Sequence, residues 1–276
     1  MVTLNAARAS NAAFTASYRP VALFVRATAG IGQGTVEAFA RATKGNAHIM
    51  ICGRSKTSAD KIIAGLPQTP ESKYEFIECD VSLMKNVTDT VSSIRSRVDT
   101  LNYLVLSQGI FIMQAFTPTS EGIDMKLALH FYSRWKFVDG LMPLLERAKA
   151  GGQEQNYSLK AAAGQAVTYN NLMVEDYAKR NPQMSFIHIF PGAVKTSLGR
   201  HLHWSIQPLY SVLGLALTSL QDCGEWMSYP LLSQAYHQGA FFLDNHGDPV
   251  PPEKIITSEA ARKILVERFM KETATA

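Results

Sequence analysis

Gly30, Gly32 and Gly34 follow the apolar run Val21-Ala22-Leu23-Phe24-Val25 and precede a helix expected from about Thr35 to Thr43. An apolar strand that feeds a glycine-bearing turn and a helix N-terminus is suited to a phosphorylated cofactor. Unpaired backbone N–H groups and the helix dipole both point at the anion, and glycine lets the backbone come close to it. The amides of Gly30, Ile31 and Gly32 are the candidate phosphate ligands. A second buried strand, Ala47 to Cys52, leads into Gly53-Arg54-Ser55. An acidic residue here would bind the ribose hydroxyls of NAD, whereas a basic one can pair with the 2′-phosphate of NADP. Arg54 therefore favours NADP; its alternative is a solvated loop arginine.

The elements that must carry these residues alternate. Ser58 to Leu66 reads as a helix, Tyr74 to Cys79 as a third strand, and Lys85 to Val98 as a helix that Asp80 and Ser82 are placed to cap. Leu101 to Leu106 is a fourth strand, followed by Ser107-Gln108-Gly109, and Gly122 to Ala148 is a long helix with one apolar face. Later come a helix to Lys179, strands Ser185 to Phe190 and Gly239 to Leu243, a helix Asp222 to His237, and an amphipathic surface helix Ser258 to Glu272. This order argues for a Rossmann-like α/β fold with a doubly wound parallel sheet. One part is wanting. After Ala148, residues Lys149 to Asn156 contain no apolar run, so a central strand is expected to be absent and Ala161 to Lys179 to continue as helix.

The segment Val25-Arg26-Ala27-Thr28-Ala29-Gly30-Ile31-Gly32 resembles the Thr-Gly-x-x-x-Gly-Ile-Gly cofactor turn of the short-chain dehydrogenase/reductase family. Val25 stands for the threonine and Arg26 for the first glycine. A long side chain at that bend must either turn away or sit where the cofactor's phosphates belong. Pro191-Gly192-Ala193-Val194-Lys195-Thr196 resembles the family's Pro-Gly-x-Val-x-Thr loop beside the nicotinamide. The resemblance implies that Asp80 lies beside the adenine, that Thr196 bonds the carboxamide or a phosphate, and that Gly109 survives from an Asn-Ala-Gly segment closing over the ribose. It also implies a catalytic serine at the end of the missing strand and Tyr-x-x-x-Lys on the next helix. The serine segment is not found; Tyr157 and Lys160 stand near the expected place at a spacing of three. On a helix that spacing still shares a face. His130 occupies the position of an asparagine that holds a proton-relay water. A histidine can relay a proton, and it can equally be a hydrogen-bonded core residue. Tyr157-Ser158-Leu159 with Ala162-Ala163-Gly164-Gln165-Ala166 looks like a fungal branch whose members often lie in secondary-metabolite pathways.

The 276 residues, 46% hydrophobic and 18% charged, suffice for one domain over 1–276. A net charge of +4 with scattered basic residues gives no patch for nucleic acid. Cys52, Cys79 and Cys223 have no metal-ligand spacing and suit a reducing, cytoplasmic setting. No stretch is apolar enough for a membrane span. Residues 1–19, with Arg8 and Arg19 and no acid before Glu37, read as a flexible arm or a faint likeness to a transit peptide. Residues 197–238 fall where the resembled family forms its substrate lid, and their apolar, aromatic character suits a bulky apolar substrate, plain core or a dimer face.

Two functions follow. The first is an NADP-dependent oxidoreductase acting on a carbonyl or alcohol of an apolar small molecule, as a possible homo-oligomer, with Tyr157, Lys160 or His130 taking the proton. The second is a catalytically impaired or non-redox member, a binding scaffold.

Overall fold

The computed structural model describes residues 2–110, 115–150, 156–160, 165–196, 217–251, 255 and 258–274. Seven parallel strands form one sheet: β1 (Val21–Val25), β2 (His48–Gly53), β3 (Lys73–Glu78), β4 (Tyr103–Leu106), β5 (Asn156–Lys160), β6 (Ser185–Ile189) and β7 (Gly239–Leu243). Their order is β3-β2-β1-β4-β5-β6-β7, so the winding reverses between β1 and β4. That reversal opens a crevice at the carboxyl ends of the strands, where a doubly wound sheet takes its ligand.

Among the described residues, the helices are α1 (Leu4–Ala12), α2 (Gly30–Ala42), α3 (Lys56–Ala64), α4 (Met84–Arg95), α5 (Ser133–Ala150), α6 (Gln165–Arg180), α7 (Leu220–Leu232) and α8 (Glu259–Ala274). A short α-helical turn, Met125–Leu127, and a π segment, Ala128–Tyr132, lead into α5. Strand alternation sorts the two faces. Leu23, Val25, Leu104, Leu106 and Phe186 pack with residues of α4, α5, α6 and α8, whereas Ala22, Phe24, Ile49, Ile51 and Tyr103 pack under α2, α3 and α7. Both sides of the middle strands are covered, which is why β1, β2 and β4 read as nearly continuous apolar runs.

The expectation of a missing strand needs correction. The central strand is present: Asn156–Lys160 pairs with β4, Leu104 in register with Tyr157, and with β6, Tyr157 in register with Phe186. The strand begins only at Asn156, after the polar stretch 149–155, and Asn-Tyr-Ser-Leu-Lys alternates polar with apolar residues instead of forming an apolar run. The facing edges of β4 and β6 each carry backbone groups that need partners, and this segment supplies them. With it, Tyr157 and Lys160 become strand positions and not members of one helix. Residues 161–164, read as the start of the helix, lie outside the described residues; α6 is described from Gln165.

The N-terminal arm is also ordered in part. Thr3 caps α1, Ala7 is fully buried, and Asn11 Nδ2 donates to the backbone oxygen of Glu225 at 3.0 Å and to its carboxylate at 2.8 Å, which docks α1 on α7. Of the stretch 197–238, residues 197–216 lie outside the described residues, and Leu220–Leu232 is a largely buried helix against α2. The two helices meet through glycines: a Cβ on Gly224 would lie 2.1 Å from the Gly34 carbonyl oxygen. Among the described residues, no helix is long and apolar enough to cross a membrane.

Candidate functional site

β1 ends in the buried Val25, and Arg26 makes the bend with φ 57, a left-handed conformation that a side chain adopts at a cost. Ser107, at the end of β4, holds this bend: its Oγ lies 2.8 Å from the Val25 oxygen and 3.2 Å from the Arg26 oxygen, and donates to them. The hydroxyl that replaces the expected asparagine thus ties the two strands together at the reversal point.

α2 begins at Gly30, earlier than the sequence suggests, so the glycines lie inside its first turns. Gly30 has φ 58. A Cβ on Gly32 would meet Ser107 Oγ at 2.4 Å and the Arg26 oxygen at 2.8 Å, so only glycine lets the helix N-terminus come this near the strand. Ala29, at the cap position, offers no side-chain acceptor to the first turn. A helix start without a side-chain cap, facing a crevice, is a place where an anion is stabilised.

The crevice has a volume of about 480 Å³ and is lined by all seven residues expected to touch a cofactor: Gly30, Ile31, Gly32, Arg54, Asp80, Gly109 and Thr196. A wider hollow of about 810 Å³ between α2 and α3 adjoins it and shares Thr28, Ala29, Gly30 and Thr196. The smaller one lies at the strand ends where the winding reverses, and is the candidate site. Thr196 reaches it from the loop after β6, its Cγ2 3.8 Å from where a Gly30 Cβ would stand. Hydrogen bonds from Lys195 N to Thr218 O and from Thr218 N to Ala193 O hold that loop, at 2.9 and 3.0 Å.

Arg26, the supposed obstacle, is a wall of this crevice, and its Nη1 is buried without a hydrogen-bond partner. Burial first, then the charge of Arg54, lowers its pKa from the usual arginine value, while Asp80 works in the other direction. Arg54 is 71% exposed, its Nη1 3.9 Å from Asp80 Oδ2. Asp80 accepts from Ser82 N at 3.0 Å and Ser82 Oγ at 2.7 Å, closing the turn after β3. The capping expected of Asp80 and Ser82 falls instead to Glu121, whose carboxylate accepts from Met84 N and Lys85 N at 2.6 and 2.9 Å. Glu121 is far off in sequence, so no local spacing announces it.

His130 is 3% exposed in the π segment and packs against Gly109, where a Cβ would be 2.6 Å from its Cε1. Its Nε2 lies 2.9 Å from Ile110 N and 2.8 Å from Ile110 O. Burial, and then the charge of Arg134, brings its pKa down to about 4, so the ring is neutral near pH 7. The histidine fastens the loop after β4. The main chain around it is fixed from the other side, since Asn170 Nδ2 donates to the His130 oxygen at 3.0 Å and Trp135 Nε1 donates to Asn170 Oδ1 at 2.9 Å.

Tyr157 and Lys160 lie on β5, with Lys160 at its carboxyl end, the end of the sheet on which the crevice opens. The sequence contains one Tyr-x-x-x-Lys, Tyr132 to Lys136. It lies away from the crevice: Tyr132 borders a hollow beside α8, and Lys136 Nζ donates to the Thr273 oxygen at 2.7 Å.

The described residues thus fit a dinucleotide: a helix start without a side-chain cap, a glycine cradle that a Cβ would fill, and two arginines on the wall. Comparisons with known proteins agree. The sequence profile described as short chain dehydrogenase matches residues 20–153. The oxidoreductase AN1596 of Emericella nidulans is 36% identical over 219 residues, 72% of this chain and 65% of that protein, so this chain spans about two thirds of it. The oxidoreductase andH of Emericella variicolor is 31% identical over 250 residues, 80% of this chain and 74% of that one. In fold, the chain is similar to L-sorbose reductase from Gluconobacter frateurii, solved with NADPH and L-sorbose, with a TM-score of 0.62 at 17% identity over 83% of this chain and 96% of that one. The glycine turn, the strand order and these relatives together establish that the chain belongs to the short-chain dehydrogenase/reductase family.

Proposed function

We propose that the crevice between β1 and β4 binds NADP(H) and that the protein is an NADP-dependent oxidoreductase for a carbonyl or alcohol of an apolar small molecule, in fungal secondary metabolism. One observation carries the reading: all seven candidate cofactor residues line one crevice at the point where the sheet's winding reverses. The α2 N-terminus would hold the diphosphate through its amides, Arg54 and Asp80 the adenosine end, and Gly109 and Thr196 the nicotinamide side. When bound, the nicotinamide supplies or accepts the hydride. Lys160 at the end of β5, with Tyr157 deeper in the same strand, is the proton-handling pair of this reading, and His130 supports it by fixing the loop over the ribose.

A second reading is favoured by a specific observation: Tyr157 and Lys160 are strand positions three apart, and Tyr132 with Lys136 is committed elsewhere. In that reading the cofactor binds without turnover. Titration calorimetry with NADPH, followed by NADPH oxidation against a panel of apolar ketones, separates the two. Binding with turnover supports the enzyme, binding without turnover supports the scaffold, and no binding at millimolar NADPH by a protein that melts cooperatively ends both.

A further inference from the structure

A separate hollow, of about 330 Å³, lies where the π segment, α6 and α8 meet. It is at the small end of ligand pockets and has the volume of about eleven water molecules. Its walls divide by character. Leu127, Phe131, Leu172, Leu265 and Ile264 are apolar, and the rings of Phe131 and Tyr169 stand edge to face, 5.7 Å apart. Burial raises the pKa of the Tyr132 phenol, while the charge of Arg268, which also bonds to it, lowers it; Glu272 and Tyr169 act on it too. The two phenols and the guanidinium therefore share one corner of the hollow. α8 is tied down along its length: Arg262 lies 3.6 Å from Asp176 and 4.0 Å from Glu175 on α6, Lys136 Nζ donates to the Thr273 oxygen at 2.7 Å, and the Phe131 and Phe269 rings meet at 6.1 Å. The hollow is thus built into the packing and is not a gap under a loose helix. Leu265 and Phe269 are buried, whereas Ile264, at the hollow, is 67% exposed. Arg268 is 66% exposed and its Nε is 4.0 Å from Glu272 Oε1, so a group with five N–H donors keeps some for an incoming anion.

We propose that this hollow is a second binding site, for a small carboxylate with a compact aromatic or aliphatic body, its carboxylate on Arg268 and the two phenols and its body against Phe131, Leu172 and Ile264. A carboxylate accepts a planar fork from arginine and an O–H from a phenol, and the apolar body takes Ile264 and the ring edges out of water. Arg268 repels a cation, and a wholly apolar molecule would bury the polar corner without a partner. The site is independent of the cofactor reading. Met125 and Leu129 line the crevice, while Leu127 and Phe131 line this hollow, so one stretch of chain is the wall between the two.

The test is a ligand-observed NMR titration of the whole chain with naphthoate and with naphthalenemethanol, its neutral counterpart, with and without millimolar NADPH, beside thermal melts and size-exclusion chromatography. Naphthoate is expected to bind with a Kd of about 0.1 to 1 mM, the usual range for about a dozen non-hydrogen atoms. It should bind about tenfold more tightly than the alcohol, the difference a charged hydrogen bond makes. Arg268→Gln should remove that preference and leave the alcohol's affinity unchanged. Ala261→Trp fills the hollow from an exposed helix position and should abolish binding of both. Since both positions are exposed, neither variant is expected to lose its fold, which the melts check. Equal affinity for acid and alcohol, undiminished naphthoate binding by either variant, or displacement of naphthoate by NADPH would overturn the proposal. So would a cooperatively melting wild type that binds neither probe, including one that is a dimer and is split by Ala261→Trp, because a second copy would then be the occupant.

Discussion

β1 and β5 lie two strands apart in one sheet, and only β1 is apolar along its length. Val21–Val25 is what a strand covered on both faces should be, and its bend is held by Ser107 and by a glycine that touches backbone. Asn156–Lys160 takes an equally central place with three polar residues in five. The difference shows that a place in a parallel ladder can be filled on backbone grounds, while the chemistry at its carboxyl end depends on the side chains that arrive there. The crevice at the ends of β1, β2 and β3 accordingly keeps recognisable parts despite Arg26 and Ser107, whereas β5 carries neither an apolar run nor a Tyr-x-x-x-Lys.

The sharpest way to break that comparison is to deny β5 its ladder. Ser158 is in register with Val105 and Ile187, and Ser158→Pro removes an N–H and adds a ring between two neighbours. We expect a loss of about 4 kcal/mol or more, combining an orphaned carbonyl with steric strain, read as failure to unfold cooperatively in urea. Wild-type stability in this variant would mean that Asn156–Lys160 is not a central strand. On the β1 side the matching test is Gly224→Ala, whose new Cβ would lie 2.1 Å from the Gly34 oxygen and push α7 off α2. The cost should be about 3 kcal/mol, the upper range for overpacking, measured by the urea midpoint.

How much of this was legible follows the same division. The glycine turn and Arg54 could be placed from sequence because each follows an apolar strand, and Asp80, Gly109 and Thr196 because the family resemblance puts them after strands whose ends meet at the crevice. β5 could not, since it carries no apolar run and is ordered by the edges of its neighbours. His130 was readable as a residue but not as a contact: its partner is the backbone of Ile110, twenty positions away, and backbone partners leave no mark in residue identity. Arg26 was visible as a departure, yet its place on the wall of the crevice with Arg54 and Asp80 follows only from the fold, which brings the ends of β1, β2 and β3 together.

The surroundings of β5 should also respond to pH in a way that the β1 bend does not. His188 on β6 is in register with Leu159, its Nδ1 bonded to Asn171 Oδ1, and burial followed by the Arg134 charge brings its pKa to about 3; that of His130 is about 4. Both lie below the ordinary 6.5. The unfolded chain therefore takes up protons that the folded rings refuse, so the stability from these sites is complete above pH 6.5 and falls as the pH drops toward 4 and 3. Each histidine should cost at most about 1.4 kcal/mol per pH unit in that window, or about 2 kcal/mol by about pH 5. Urea unfolding across this range should show a slope that shrinks by roughly half in His188→Asn. An unchanged slope would mean that His188 is not held neutral.

The smallest effect bears on the β1 bend itself. Arg26→Gly relieves a left-handed residue, a gain of about 1 to 2 kcal/mol, but adds backbone freedom to the unfolded chain, a loss of about 0.5 to 1 kcal/mol. The balance is a stabilisation of about 0.5 to 1 kcal/mol, raising the melting temperature of the cofactor-free protein by about 2 °C. The sign matters more than the size. A more stable Arg26→Gly protein would show that the bend itself favours glycine and that the arginine is retained for something outside the fold. A less stable one would show that contacts of the guanidinium stem within the protein outweigh the strain, which would place Arg26 among the residues that hold β1 to α2.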